Sequence, residues 1–201
     1  MMSDRETNIK EKLKQALTST IRVISEDFDI KQEKKDKKIN KLDIFDIDNL
    51  KNKIDFIKAR AEADSSAVKK KFSNDEIYKK NLPTNSNCKS LYAIAEKIRY
   101  ESLGSKMLKG IKKNLSDNYN QKLDFKNKDT IKTKEDVPVV DAFELYMLKN
   151  FCDMKLNSFC SKMLNFWEKE FDQSINNHIN FLKENFENQN AYSSKFSKIL
   201  Q

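Results

Sequence analysis

Three charged residues lie close together in the chain, at a spacing that allows an ion-pair network or a contact with a partner. Glu96 and Arg99 are three residues apart, a spacing at which side chains pair on a helix surface, and Glu101 follows. Arg99 adjoins Ile98 on an apolar stripe, so partial burial of its guanidinium is expected. Two interpretations of this cluster are open. It is either a buried arginine fork that holds carboxylates or a contact to a partner subunit, and the usual pairing of buried charges favours the fork.

A second predicted helix supplies the carboxylates that such a fork would hold. Glu62 and Asp64 lie in that segment and are the candidates. Arg60 precedes them and belongs to the same charged stretch. The candidate charge cluster, structural or partner-contacting, therefore comprises Arg60, Asp64, Glu96, Arg99 and Glu101.

Catalytic and metal-binding motifs are missing from the sequence. Neither glycine-rich phosphate-binding pattern occurs, and the single histidine, His178, gives no basis for a Ser-His-Asp set or a closed zinc site. The cysteines Cys88, Cys152 and Cys160 have spacings of neither a zinc knuckle nor a redox pair, and we expect reduced thiols. Aspartates over residues 43–48 approach calcium-loop spacing but lack the central glycine and closing glutamate. We therefore expect no catalytic residues, no metal ligands and no bound cofactor.

Composition favours helices over a β-sandwich. The 201 residues include only 2 Gly and 2 Pro, too few for the many turns of a sandwich, and 10% aromatics argue against disorder. The net charge of +8 would suit nucleic acid or an anionic surface, but charges of both signs are interspersed, as on solvated helix faces. The sequence contains no apolar signal core and no stretch apolar enough to cross a bilayer, so we expect a cytoplasmic protein without a membrane partner.

Apolar residues at steps of three and four predict an all-α, bundle-like domain over residues 1–201. Its centre is residues 90–115, predicted as a kinked helical hairpin. Gly104 is the expected position of a break or a close helix crossing, and Asn85 or Ser86 is the expected N-cap. The predicted core includes Leu91, Ile94, Ile98, Ile111 and Trp167.

The other predicted elements surround this hairpin. Further helices are expected from Ser3 or Asp4 to Ile24, over residues 49–72 and 74–80, from Pro138 to Phe151, over residues 157–188, and in a final segment to Leu200. A charge run over residues 31–41 predicts a mobile loop, and the alternating acidic and apolar residues 42–48 predict an extended segment laid across helices. Residues 117–135 are predicted to be a polar connection.

Three sequence motifs carry a resemblance to a known family. They are Ala95-Glu96-x-x-Arg99-x-Glu101-x-x-Gly104 followed by Asn114-Leu115, Arg60-x-x-Ala63-Asp64-x-x-Ala67, and Asn188-Gln189-Asn190-Ala191-Tyr192. The chain resembles, from about Ile9 to Leu200, the amino-terminal helical region of CobT, a subunit of the aerobic-type cobaltochelatase. The family has a histidine near Ile77 or Tyr78 that is absent here, so no role of that histidine carries over.

The resemblance implies a non-catalytic scaffold in a ligase complex of vitamin B12 biosynthesis. In the family, CobT works with the AAA+ ATPase subunit CobS and the large subunit CobN, which inserts cobalt into the corrin hydrogenobyrinic acid a,c-diamide. The complex uses ATP, Mg²⁺ and Co²⁺. The family also has an acidic linker and a carboxy-terminal von Willebrand A-like domain with a metal site, and neither occurs in this sequence. With the abrupt end of the last helix, this suggests a fragment.

Two other function classes stay open from the residues alone. A basic helical module could bind nucleic acid with an affinity that falls steeply with salt. A helical adaptor could mediate assembly, including with copies of itself, without any link to corrin chemistry.

Overall fold

The computed structural model describes residues 4–28, 53–124 and 131–201, and within those ranges it contains helices and no strand. The all-α prediction is confirmed. The predicted loop and extended segment over residues 31–48 lie outside the described residues. The helices are α1 (Asp4–Ser25), α2 (Lys53–Phe72), α3 (Asp75–Lys80), α4 (Ser86–Met107), α5 (Lys109–Asp124), α6 (Val139–Phe151), α7 (Ser158–Asn165), α8 (Glu168–Ile175), α9 (Ile179–Glu184) and α10 (Gln189–Ile199), with 3-10 turns at Lys134–Asp136 and Asn176–His178.

Helix α4 lies between two hydrophobic cores and contributes to both. Ala95, Ile98 and Leu103 of α4 belong to the larger core, which they form with the end of α5 and with α6 to α10. Tyr100 of α4 belongs to the smaller core, formed with α1, α2 and the start of α5. Because one helix contributes to both, side chains of α4 can connect elements that are far apart in the sequence.

Helices α1 and α2 pack side by side with the same direction. Lys70 and Lys71 at the end of α2 pair with Asp27 and Glu26 just after α1, with nitrogen–oxygen distances of 3.4 and 2.5 Å. The carboxyl ends of the two helices therefore adjoin. Small buried residues on α2 allow this close approach, namely Ala59, Ala63 and Ala67.

Gly104 marks a close helix crossing, as predicted. A Cβ built on Gly104 would lie 2.3 Å from Cγ1 of Val68 on α2, far closer than two non-bonded carbons can approach. The break in the hairpin lies farther on, at Leu108, whose extended backbone (φ −137°, ψ 124°) ends α4. Packing against α2 thus keeps Gly104 helical, and the chain turns one helical turn later. The N-cap is Asn85, whose side-chain oxygen accepts from the amide of Asn87 at 2.8 Å.

Two predicted segments were wrong. Residues 117–124 are the second half of α5 rather than a polar connection, because Leu115, Tyr119 and Leu123 follow Ile111 at steps of four and are all buried. The predicted helix over residues 157–188 is divided into α7, α8, a 3-10 turn and α9. The first division falls beside Trp167, whose indole nitrogen donates to the carbonyl of Val137 at 3.1 Å, so a tertiary contact fixes the chain where no proline or glycine signals a break.

The predicted core is correct in part. Ile98 and Ile111 are buried, with exposed fractions of 1% and 3%. Leu91, Ile94 and Trp167 are only partly buried and pack against the larger core from its edge. None of the helices in the described ranges combines the length and the apolar character that a bilayer span requires.

Candidate functional site

Arg99 is the centre of a buried polar cluster and is fully buried in the chain. Its Nε donates to Oε2 of Glu96 at 3.2 Å. Nη1 donates to the carbonyl oxygen of Phe186 at 2.9 Å, and Nη2 donates to that of Phe72 at 2.8 Å and to Oγ of Ser73 at 3.1 Å. The planar guanidinium therefore connects α4 with two other segments of backbone. We call these residues with Gln189 and Ser193 the Arg99 cluster.

One carbonyl acceptor of Arg99 is at the end of a helix and the other is in a connecting segment. Phe72 is the last residue of α2, and Phe186 lies between α9 and α10. Carbonyls in the last turn of a helix lack an intrahelical partner and carry the negative end of the helix dipole. Arg99 donates to such a carbonyl at Phe72 and satisfies a further backbone acceptor at Phe186, which explains how a charged side chain is buried at this position.

Glu96 is held from its other side by α10. Its Oε1 accepts a hydrogen bond from Oγ of Ser193, and its Oε2 accepts one from Nε2 of Gln189 at 3.3 Å. Gln189 also bonds both backbone groups of Asn74, accepting from the amide at 2.7 Å and donating to the carbonyl at 3.3 Å. The carboxylate thus has the arginine on one side and neutral donors on the other, and the cluster joins α2, α3, α4 and α10.

The predicted pairing of Arg99 with Glu96 is confirmed, whereas the acids of α2 predicted as its further partners were wrong. Glu62 is exposed and lies 3.8 Å from Nζ of Lys58, and Arg60 is also exposed. Asp64 accepts a hydrogen bond from Asn114 of α5 at 2.8 Å. Arg99 instead pairs within its own helix and uses backbone carbonyls elsewhere, because the neighbouring part of α2 is its carboxyl end and not the stretch that carries the acids.

A second polar cluster surrounds Glu101, on the side of α4 that faces α2 and α5. Its two oxygens accept from Oγ of Ser65 at 2.5 Å and from the hydroxyl of Tyr119 at 2.6 Å. Nζ of Lys97 is 3.8 Å away, and that side chain is 40% exposed. Burial raises the pKa of Glu101, although Lys97 and the two hydroxyl donors act in the opposite direction.

Asp64 and Asn114 connect α2 to α5 in the same region. Burial is the main cause that raises the pKa of Asp64, while the hydrogen bond from Asn114 and the charge of Arg60 lower it. The five candidate residues are therefore not one cluster. Glu96 and Arg99 belong to one network and Glu101 belongs to another. Asp64 is bonded separately, to Asn114, and the exposed Arg60 belongs to neither network.

Chemically reactive groups elsewhere do not converge. In the ranges that the structure describes, no three His, Cys, Asp or Glu side chains are arranged to hold a metal ion. The three cysteines, all in the described ranges, form no disulfide, and burial raises the pKa of the Cys152 thiol to about 11. His178 lies in the second 3-10 turn and is partly exposed.

The Arg99 cluster lies directly beneath the surface. Two depressions share Ser73 and Asn74, and the larger, of about 780 Å³, is also lined by Gln189. Ser73 and Gln189 both bond to the buried ion pair. Ser73 and Gln189 therefore join the groove between the end of α2 and the start of α10 to the buried pair of Arg99 and Glu96.

The three sequence motifs, which are far apart in the chain, come together in these clusters. Gln189 bonds Glu96, and the hydroxyl of Tyr192 donates to the carbonyl of Ala95 at 2.8 Å. Ser65 bonds Glu101 across the contact between α2 and α4. A family model described as cobalamin biosynthesis protein CobT matches residues 7–201. The chain belongs to the CobT family. This membership connects the chain with cobalamin biosynthesis.

No solved structure matches this chain. In this CobT chain the neutral side chains that bond the buried acids come from α2, α5 and α10. Sequence reasoning missed several polar partners, namely Ser65, Asn114, Tyr119, Gln189 and Ser193. Asn114 and Gln189 had a usable signal, because both lie in motifs that resemble the family. Tyr119 had another, since it continues the apolar step from Ile111.

Proposed function

We propose that this chain is a non-catalytic helical scaffold of an ATP-dependent cobaltochelatase. That complex inserts cobalt into hydrogenobyrinic acid a,c-diamide during cobalamin biosynthesis, in the cytoplasm. The observation that carries the proposal is the CobT family match over residues 7–201. In this role residues 1–201 act as one helical domain, with the ATPase CobS and the large subunit CobN as partners. The complex, rather than this chain, uses ATP, Mg²⁺ and Co²⁺.

The use of the buried polar groups supports a scaffold role. Arg99 and Glu96 bond to residues of α2, α10 and the segment between α9 and α10. Glu101 bonds to α2 and α5. Each bond sets the position of one helix relative to α4, because a buried polar group that loses its partner costs free energy. A subunit that transmits force or holds partners in register needs such fixed positions.

Reconstitution with the two partner subunits tests this function. The chain is co-expressed with CobS and CobN, and co-elution, ATP hydrolysis and cobalt insertion are measured with and without it. We expect the chain to co-elute with CobS and to show no ATP turnover by itself. Failure to associate with either subunit would contradict the scaffold assignment. Cobalt insertion or ATP turnover by the pure chain would contradict its non-catalytic character.

A further inference from the structure

The corner between α4 and α5 exposes an unusual combination of residues. We call residues 106–113 the basic corner. Met107 and Leu108 are 39% and 46% exposed at its tip, although most large apolar residues of the described chain are at least partly buried. Ile111 points inward and fixes the corner to the smaller core. The exposed lysines are Lys106, Lys109, Lys112 and Lys113.

The fold does not account for three of these four lysines. Within the described part of the chain, Lys109, Lys112 and Lys113 have no carboxylate within ion-pair distance, and the ammonium of Lys106 lies 5.3 Å from the ring centroid of Phe186. Three of them occupy the first turns of α5, which has no acidic residue there. Positive side chains at this end oppose the helix dipole and cost stability. Charges that destabilise their own helix point to a use outside the fold.

The chemistry of the corner fits an acidic protein segment best. A small apolar centre with a charged rim is the arrangement found in protein interfaces. Single-stranded nucleic acid binding relies on aromatic stacking, and the corner has no aromatic residue. An interfacial membrane helix needs a continuous apolar face with aromatic anchors, and only two aliphatic side chains are exposed here.

We propose that the basic corner is a docking surface for a partner segment that carries both carboxylates and large apolar side chains. Met107 and Leu108 contact the apolar side chains of that segment. Lys109, Lys112 and Lys113 pair with its carboxylates, which speeds association and selects against basic partners. This proposal does not depend on the cobaltochelatase assignment.

Fluorescence anisotropy with synthetic peptides tests the surface. The probe is a labelled peptide of alternating glutamate and leucine, and the comparison peptide has glutamine in place of every glutamate. Lys109→Glu, Lys112→Glu and Lys113→Glu are combined in one variant. The matched control combines Lys79→Glu, Lys80→Glu and Lys89→Glu, which are also exposed and change the net charge equally. A third variant combines Met107→Ser with Leu108→Ser.

We expect the corner variant to weaken binding of the acidic peptide about tenfold or more, because three attractive charges become repulsive. The control variant should stay within about twofold of the original chain, and the serine variant should lose about fivefold or more. Equal losses in the corner and control variants would overturn the proposal, as would no binding of the acidic peptide. Binding of phosphatidylserine vesicles or duplex DNA that needs the corner, with no peptide binding, would also overturn it. Circular dichroism of each variant verifies its fold.

Discussion

Replacing Arg99 by alanine removes the connection between α4, the end of α2 and the segment before α10. Four hydrogen bonds are lost, one to Glu96 and three to Phe72, Ser73 and Phe186. Glu96 is only 3% exposed, and it would keep only its neutral donors. The variant therefore leaves a carboxylate and two carbonyl oxygens buried without the cation that served them.

The expected cost is large for a protein of this size. Breaking a buried ion pair by removing one partner costs about 3–5 kcal/mol. A folded domain is stable by about 5–15 kcal/mol, so the loss is a third or more of the total in a typical case. At roughly 2–4 °C per kcal/mol for a chain of this length, the melting temperature should fall by about 6–20 °C. If the original chain is stable by only about 5 kcal/mol, the Arg99→Ala variant would not fold.

Thermal melts by circular dichroism measure this loss, with Arg60→Ala as the matched control. Arg60 is exposed, so its removal should change stability by less than about 0.5 kcal/mol. The double variant Glu96→Gln with Arg99→Met removes both charges, and it should be less destabilised than the sum of the single changes. If Arg99→Ala melts like the original chain and loses only association with CobS, the structural role argued for Arg99 is refuted.

Three further predictions concern packing, pH and ligands. Gly104→Ala should lower the free energy of unfolding, measured in urea, by about 1–3 kcal/mol because the added Cβ meets Val68, and Val68→Ala in the same chain should restore part of that loss. Gly110→Ala, which adds a Cβ in open space, should raise the free energy of unfolding by about 0.5–1 kcal/mol. Burial raises the native pKa of Glu101 above its ordinary value of 4.5, so the stability that the protonated carboxyl contributes is fully present below pH 4.5 and is lost as the pH rises through the native pKa. Glu101→Gln should remove this loss of stability. Equal profiles of stability against pH for the variant and the original chain would contradict the prediction. The pure chain should show no heat of binding with ATP or Co²⁺ in calorimetry, and saturable binding would contradict this.

Much of the fold follows from apolar spacing alone. Leu17, Ile21 and Ile24 of α1 recur at steps of three and four, and all three are buried as that periodicity requires. Gly104 was predicted as a break or a close helix crossing because a glycine inside an apolar helix costs stability, and the crossing is what the structure shows. Asn85 or Ser86 was predicted as the cap of α4 because each has a side-chain acceptor, and the cap is Asn85. These features depend on local physics that each residue type carries with it.

Tertiary contacts decided what the sequence could not. The division beside Trp167 depends on a hydrogen bond to Val137, thirty residues earlier, and no local residue signals it. The partners of Arg99 were missed for a related reason. Sequence reasoning looked for acidic side chains, whereas two of the acceptors are carbonyl oxygens of Phe72 and Phe186, groups that every residue possesses.

The use of carbonyl acceptors by Arg99 has an evolutionary consequence. Any amino acid at positions 72 and 186 supplies the same oxygen, so those side chains can change while the bonds to the guanidinium persist. Substitutions at these positions would be constrained by packing alone, and no compensating change at position 99 would accompany them. Correlated substitution among relatives should therefore reveal the Glu96–Arg99 pair while remaining silent about the backbone anchors. An engineer redesigning the groove can alter the side chain of Phe72, provided that the backbone path past Arg99 and the side chains of Ser73 and Gln189 are kept.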